Sequence, residues 1–447
     1  MYRASRAPAD CTVSRQGRIE TSLPPARASR STGRQKVSNL EHDSIDPSGD
    51  SVDEINEKSK IDRELFQSDI VLDKEQAWII ITDIEEESRG LDRTKRQALR
   101  DPSGLKYWTN GVNYTFNETL SAKARKAFIE GARLWSKDTC VKFRYDPQAK
   151  DRLIVQAKDG CWSYVGKSGG LQQTSLGKGL SNTFAVECHL CLKTSINSAS
   201  INRSQPALVP FDIDYQKTLG SPFISFTDIS MLNELYGCKK WCDGKAIVKC
   251  ENGGYPHPRF CWKCVCPGGY AGRRCTERPD EGCGKTIEAS KNWKTLSNVL
   301  GNRTVRRVLE KYNKCNYWIQ SPEGTEIEVK LKYFSKKFAV DGCPYAGVEI
   351  KTNENQQLTG YRFCSPDAAG TKLRSHTNRV PIIIWNKIYL SKTILRYRYV
   401  PAEKPRPTTV RPTTHMTTWP ATRSRVTSTA APTGEEQVQR SSEITDF

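Results

Sequence analysis

Two stretches of the chain carry apolar residues at helical spacing. In residues 121–137 small and aromatic side chains recur at i, i+4, i+8 and i+11, and Ser121 can cap the first turn. Further along, Ser225 and Asp228 form a capping-box pattern before a second apolar stripe, and Gly237 is a stop signal. The pattern predicts two helices, the first with a buried face. The apolar positions of that face are Ala124, Phe128, Ala132 and Trp135.

Strand-like runs lie between these helices and again in the last third of the chain. Residues 152–157 and 161–177 combine apolar positions with glycine turns, and residues 283–400 contain several alternating runs. Residues 1–60 are polar and show no period of 2 or 3.6, and residues 401–447 are rich in Thr and Pro. We therefore predict that both ends of the chain are disordered.

Length and charge narrow the class of protein. At 447 residues the chain is long enough for two or three domains, and no stretch approaches the roughly 18 apolar residues of a membrane span. The net charge is +19, and residues 283–400 hold 21 Lys and Arg against 9 Asp and Glu. Such a region is either a solvated surface or a site for an acidic partner such as matrix polysaccharide or a membrane surface. We expect no nucleic acid as partner, since no motif that reads it is present.

The cysteines indicate an extracellular protein. Fifteen of the 16 lie between Cys140 and Cys364, a clustering that predicts disulfides made in an oxidising compartment. Four Asn-x-Ser/Thr sequons are compatible with secretion and glycosylation: Asn113, Asn117, Asn202 and Asn302. The first thirty residues hold no apolar signal-peptide core, so we expect an upstream start or another export route.

A basic tetrad, Arg93-Thr94-Lys95-Arg96, precedes the cysteine-rich part. It is either a charged linker or a site of the kind that proprotein convertases cut. We favour processing between Arg96 and Gln97, which makes residues 61–96 a pro-segment.

Residues 97–238 resemble the astacin family of zinc metallopeptidases. The matching segments are "GVNYTF", "ARLWSKDTCVKF", "GCWSYVGKSGGLQQTSLGKG" and "DIDYQKTLGSPFISFTDISMLNELYGC". The upstream "LFQSD" resembles the inhibitory F-x-G-D motif of the family, with Asp69 as its aspartate and Ser68 in place of glycine. The resemblance implies a pair Cys140–Cys238. It also implies that the strand through "YVGKSGGLQQTSL" is an edge strand able to accept an extended peptide.

Two further modules follow in an order that resembles nematode-type astacins. Residues 239–278 resemble an EGF-like domain, and although six cysteines alone allow fifteen connectivities, that resemblance implies the pairs Cys242–Cys261, Cys250–Cys264 and Cys266–Cys275. Residues 283–400 resemble a CUB domain, with Cys283 to Cys315 and Cys343 to Cys364. The fold class is therefore multidomain: an incomplete α+β metzincin-like domain, a small disulfide-rich EGF-like module, an all-β CUB sandwich and disordered tails. We expect no calcium, since Lys239, Lys240 and Ala346 stand where its ligands would be.

The catalytic chemistry of that family is missing from the sequence. An astacin needs H-E-x-x-H-x-x-G-x-x-H and a methionine turn, whereas residues 97–238 contain one histidine, His189, and one methionine, Met231. Cys188 and Cys191 flank His189 but lack partners for a four-ligand site. They are candidates for a disulfide with Cys161, for an unpaired segment or for a metal. We therefore assign no catalytic and no metal-binding residue, although the family implies zinc.

Three hypotheses follow. The protein is a secreted metalloendopeptidase of matrix or cuticle proteins whose sequence between codons 176 and 212 is mis-joined or carries retained intron. Alternatively it is a non-catalytic secreted binding module, acting through its EGF, CUB and edge-strand surfaces. A purely structural matrix component is the third hypothesis. As written, we predict no hydrolysis.

Overall fold

The computed structural model of the protein describes residues 11–13, 19–21, 42–88, 106–177, 210, 212–245 and 247–402. Strands β1 (Cys11–Val13) and β2 (Ile19–Thr21) pair as a short antiparallel ribbon. Residues 42–88, called the arm below, contain α1 (Val52–Lys58), β3 (Ile70–Val71) and α2 (Lys74–Ser88). The remaining described residues form a peptidase-like domain, a small cysteine module and a β-sandwich.

The peptidase-like domain is built on a six-stranded mixed sheet in the order β3-β7-β8-β6-β4-β5, whose outermost strand, β3, comes from the arm. Strand β7 runs antiparallel to β8, and the other pairs are parallel. The strands of the domain are β4 (Val112–Phe116), β5 (Phe143–Tyr145), β6 (Arg152–Gln156), β7 (Trp162–Tyr164) and β8 (Leu171–Ser175).

The two predicted helices are both present. Helix α3 (Ala122–Asp138) begins at Ser121, whose side chain accepts a hydrogen bond from the backbone N–H of Ala124 at 3.2 Å. All four predicted apolar positions of α3 are buried, and Phe128 and Ala132 pack in one core with residues of β4 and β6. Helix α4 (Phe226–Leu235) begins with the reciprocal capping box of Ser225 and Asp228. The periodicity of these segments and their caps were sufficient to locate them.

The prediction that residues 1–60 are disordered is wrong for residues 42–60. Helix α1 lies there, and Val52 and Asn56 on it are buried. Helix α1 is only seven residues long and places just Val52 and Ile55 against the core of the peptidase-like domain, which is too few apolar positions for a recognisable period. The predicted C-terminal tail from residue 401 falls outside the described residues after Ala402, so it stays a prediction.

The cysteine module, residues 239–278, is a hairpin of β9 (Tyr255–His257) and β10 (Phe260–Val265) held by three disulfides. These join Cys242 to Cys261, Cys250 to Cys264 and Cys266 to Cys275. A fourth disulfide, Cys140–Cys238, joins the end of α3 to the residues after α4. These four disulfides join the same cysteines as the pairs that the family resemblance implies.

The sandwich, residues 286–401, packs a five-stranded sheet against a four-stranded sheet in the orders β11-β13-β18-β15-β16 and β12-β19-β14-β17. Its disulfides are Cys283–Cys315 and Cys343–Cys364. The first sheet comprises β11 (Thr286–Glu288), β13 (Asn313–Gln320), β15 (Ala346–Ile350), β16 (Tyr361–Phe363) and β18 (Arg379–Asn386). The second comprises β12 (Lys294–Gly301), β14 (Thr325–Phe334), β17 (Lys372–Arg374) and β19 (Leu390–Pro401).

A buried polar joint connects the sandwich to the residues just before α4. Arg362 on β16 is only 3% exposed; it pairs with Glu349 at 2.9 Å and donates to the hydroxyl of Ser221. The guanidinium of Arg362 also lies over the ring of Phe223 at 5.1 Å. Since a buried guanidinium without such partners would be costly, these contacts hold the peptidase-like domain against the sandwich. Within the described residues, no helix has the length and apolar composition needed to cross a bilayer.

Candidate functional site

The arm occupies the edge of the peptidase-like sheet. Residues Ile70 and Val71 pair in parallel with Ser163 and Tyr164 of β7, and the backbone N–H of Ser163 donates to the carbonyl of Asp69 at 3.1 Å. The prediction of an open edge strand through residues 164–176 is therefore wrong in this structure. Strand β8 is internal to the sheet, and the outer side of β7 is already taken by the arm.

The loop before β3, residues 66–69, forms a tight turn. The backbones of Phe66 and Ile70 exchange two hydrogen bonds of 2.9 and 3.0 Å, which closes a tight turn. In that turn Ser68 has φ +69°, a left-handed conformation that favours glycine. Ser68 thus adopts a backbone conformation that is more usual for glycine. Asp69 follows it directly, so its carbonyl is presented to β7.

The side chain of Asn56 fixes this loop against the sheet. Asn56 is fully buried, and its Nδ2 donates to the carbonyls of Ser68 at 2.5 Å and Cys161 at 2.7 Å. Its Oδ1 accepts from the backbone N–H of Cys161 at 2.5 Å. Because one amide satisfies three backbone groups from two segments, it ties α1, the turn and the start of β7 together.

Gly160 makes room for that amide. It has φ +62°, and a Cβ at this position would lie 2.4 Å from Asn56 Oδ1 and 2.3 Å from Ile61 Cδ1. Both the backbone conformation and the space therefore require glycine. The sequence "DGCW" predicts a turn, but only the folded chain shows that Asn56 packs against it.

Helix α2 adds a second attachment of the arm. Gln76 and Asp73 cap the start of the helix reciprocally, and Gln76 Nε2 donates to the carbonyl of Val165, just after β7, at 3.0 Å. Lys106 Nζ lies 2.6 Å from Asp73 Oδ2. Partial burial raises the pKa of Asp73, but the hydrogen bonds from Lys106 and from the N–H of Gln76 outweigh it and hold this pKa below its usual value. The carboxylate thus stays charged at neutral pH.

The residues present do not fit a zinc site. The sequence lacks the three-histidine motif, and the described residues contain no cluster of three His, Cys, Asp or Glu side chains able to hold a metal. The described histidines, His42, His257 and His376, lie in the arm, the cysteine module and the sandwich. Both ring nitrogens of His257 are engaged: Nδ1 accepts from the N–H of Arg259, which leaves Nε2 to donate to the carbonyl of Lys137. His257 is therefore a structural residue.

Several predicted residues lie outside the described residues: His189, Cys188, Cys191, Asn202, Arg96 and Gln97. Met231, the one methionine of the peptidase region, lies within α4. Cys161 is fully buried next to Asn56. Sequence reasoning missed Asn56, Gly160 and Gln76, because a lone polar residue in a non-periodic stretch gives no signal of its burial.

The comparisons with known proteins agree with this fold. A family model described as Astacin, a peptidase family, matches residues 102–194. Zinc metalloproteinase nas-31 of Caenorhabditis elegans is 33% identical, and the alignment covers 80% of this chain and 67% of that one. With that identity over most of both chains, the protein belongs to the astacin family. Two more relatives from the same worm, nas-32 and nas-29, are 26% and 27% identical; the alignments cover 78% and 75% of this chain and 60% and 76% of theirs.

The solved structures that resemble the chain are matched over parts of it. High choriolytic enzyme 1, a hatching enzyme zinc-protease from medaka, is 17% identical with a TM-score of 0.29 and covers 31% of this chain and 98% of its own. The CUB1-EGF-CUB2 domains of rat MASP-1 are 11% identical with a TM-score of 0.20, covering 26% of this chain and 44% of their own.

Replacing Asn56 should loosen the arm at this edge. In Asn56→Ala the carbonyl of Ser68 and both backbone groups of Cys161 lose their hydrogen bonds to Asn56, at a cost of about 0.5–1.5 kcal/mol for each bond. Hydrogen–deuterium exchange at the amide of Ser163 should then accelerate about tenfold or more.

Asn233→Ala is the matched control, since Asn233 is equally buried and donates to the carbonyl of Asp138 away from the arm. Exchange at Ser163 that rises equally in both variants would show that Asn56 has no local role.

Proposed function

We propose that this chain, as its sequence stands, is a secreted member of the astacin family that does not hydrolyse peptide bonds. The observation that carries the proposal is the donor set: the sequence has no H-E-x-x-H-x-x-G-x-x-H. Bound zinc strongly lowers the pKa of a coordinated water, to about 7, which is what makes that water a nucleophile at neutral pH. A product carrying the complete motif would be a metalloendopeptidase acting on extracellular proteins, matrix or cuticle among them.

The disulfides support secretion and the division of the chain into separate modules. Six disulfides hold the cysteine module, the sandwich and the end of the peptidase-like domain, and such bonds persist in oxidising compartments. We assign the cysteine module to the EGF-like class and the sandwich to the CUB class, on their cysteine spacing. A binding role at the β7 edge would require a peptide to displace residues 66–71 of the arm.

Metal content and proteolysis test this proposal together. Purified full-length protein, before and after cleavage at residues 93–96, should carry far less than one zinc per chain by mass spectrometry of the metal and should leave casein intact. The worm relative nas-31, prepared in the same way, is the positive control for both assays. One zinc per chain with hydrolysis of casein would overturn the proposal. Sequencing the transcript across codons 176–212 separates a true loss of the motif from a mis-joined sequence.

A cationic row on the four-stranded sheet favours an acidic polysaccharide as a partner. Lys330 lies directly opposite Arg396 on one neighbouring strand and Lys372 on the other. Like charges directly across a sheet repel, so an anion that binds there relieves the repulsion. Glu328 neutralises Lys372 at 2.5 Å, whereas no carboxylate among the described residues lies within ion-pair distance of Lys330 or Arg396.

Heparin affinity chromatography tests this partner. The double variant Lys330→Ala, Arg396→Ala should elute at clearly lower salt than the wild type, because it removes the two unneutralised charges. The control Arg303→Ala, Arg307→Ala loses the same charge from exposed positions outside the row and should elute close to the wild type. If both variants elute at equally reduced salt, the binding to heparin depends on the overall charge of the protein and not on this row.

The sequons differ in how their amides are used, so we propose glycans on Asn117 and Asn302 and none on Asn113. Asn113 Nδ2, the atom that a glycan would occupy, donates to the carbonyl of Asp151 at 3.4 Å. Asn117 and Asn302 use only Oδ1, accepting from the backbone N–H of Thr119 and Thr304 at 2.9 Å.

Mass spectrometry of glycopeptides from secreted protein should therefore detect sugar at Asn117 and Asn302. The variants Thr119→Ala and Thr304→Ala should each remove one glycan. A glycan at Asn113 would contradict the assignment.

A further inference from the structure

Residues 42–50, the first nine of the arm, lie on the sandwich. The rest of the arm covers the edge of the peptidase-like sheet, a different domain. Asp43 and Ala339 form a two-bond contact: the N–H of Asp43 donates to the carbonyl of Ala339, and the N–H of Ala339 donates to Asp43 Oδ2, both at 2.8 Å. His42 Nε2 lies 3.3 Å from Asp341 Oδ2, and Ile45 packs against the sandwich core.

Asp50 is the centre of this contact. Its Oδ1 accepts from the hydroxyl of Tyr345 at 2.5 Å and from the N–H of Asp46 at 2.7 Å, and its Oδ2 accepts from the N–H of Ile45 at 2.8 Å. Asp50 is 5% exposed and Tyr345 is 1% exposed. A carboxylate buried to this degree is tolerable only while those donors surround it. Burial and the hydrogen bond to Asp50 both raise the pKa of Tyr345, so the hydroxyl remains a donor at physiological pH.

The arm therefore contacts two domains. Residues 42–50 bind the sandwich, and from Asn56 onward the arm binds the peptidase-like sheet. All of these contacts are non-covalent, since residues 42–88 contain no cysteine. Only a few residues separate the two contact regions, and two sites joined by a short connection hold far more tightly than either alone.

We propose that cleavage between Arg96 and Gln97 does not release the N-terminal segment, which stays bound through the non-covalent contacts of the arm with the sandwich and with the peptidase-like sheet. This rests on the proposed processing at the basic tetrad. In that step a convertase-class protease and one water break the Arg96–Gln97 amide. The water hydroxyl goes to the carbonyl carbon of Arg96 as a carboxylate, and its proton goes to the new amine of Gln97. The surface around residues 338–345 is thus a docking site for the protein's own cleaved arm.

Controlled cleavage of the full-length protein tests the proposal. A variant in which residues 93–96 are replaced by the recognition sequence of a site-specific viral protease is cut to completion, diluted and run on size exclusion without denaturant. The expected result is co-elution of the two fragments. Separate elution of the N-terminal fragment from the otherwise native chain would overturn the proposal. Because the engineered site is cut regardless of the native tetrad, failure of a convertase to cut the wild type counts only against the proposed processing.

Two variants test how much the contact with the sandwich contributes to binding of the cleaved fragment. Tyr345→Phe removes the donor to Asp50, and a hydrogen bond to a charged group is worth enough to weaken binding about tenfold or more. Tyr397→Phe, 5% exposed within the same sandwich, is the matched control and should retain the fragment as the wild type does. Asp50→Asn weakens the same contact from the arm and leaves the sandwich sequence intact, which keeps the test valid should Tyr345→Phe fail to fold. If Asp50→Asn and Tyr345→Phe both retain the fragment like the control, the Asp50–Tyr345 contact has no part in holding it.

Discussion

One buried side-chain amide organises the candidate site of this protein. Asn56 satisfies backbone groups of residues 68 and 161 at the same time, so helix α1, the turn before β3 and the start of β7 are positioned together. Without it, two carbonyls and an N–H would lose these hydrogen bonds, and the two-residue strand β3 has few other bonds to offset the loss. Gly160 is constrained for the same reason, because any Cβ there would collide with the amide.

The elements of the peptidase-like domain that the structure describes form without the zinc-binding motif, which the sequence lacks. The sheet, the capped helix α3, the Cys140–Cys238 disulfide and the arm along β7 need no histidine to form. Their stability comes from apolar burial and backbone hydrogen bonds, whereas catalysis depends on a few ligands in one segment. Fold and activity can therefore be lost independently.

The sandwich does more than follow the peptidase-like domain in the chain. Its buried Arg362, paired with Glu349, donates to Ser221 of the peptidase-like domain, and its Tyr345 donates to Asp50 of the arm. These contacts pair charges and hydroxyls that would be costly to bury alone, so separating the arm or the domains breaks hydrogen bonds that buried groups depend on. The sequence suggests that the sandwich is a separate, appended domain, whereas in the structure it packs against both the peptidase-like domain and the arm.

The sequence by itself determined the elements whose signals are local. The apolar period and cap of α3, the capping box of α4, the cysteine spacing and the absence of the zinc motif are all properties of short stretches of residues. Tertiary structure alone decided that residues 42–60 are ordered, that the β7 edge is covered and that the arm reaches the sandwich. The physical reason is that a polar residue such as Asn56 or Asp50 gains its structural value only when distant backbone groups surround it, and no local pattern records which groups those will be.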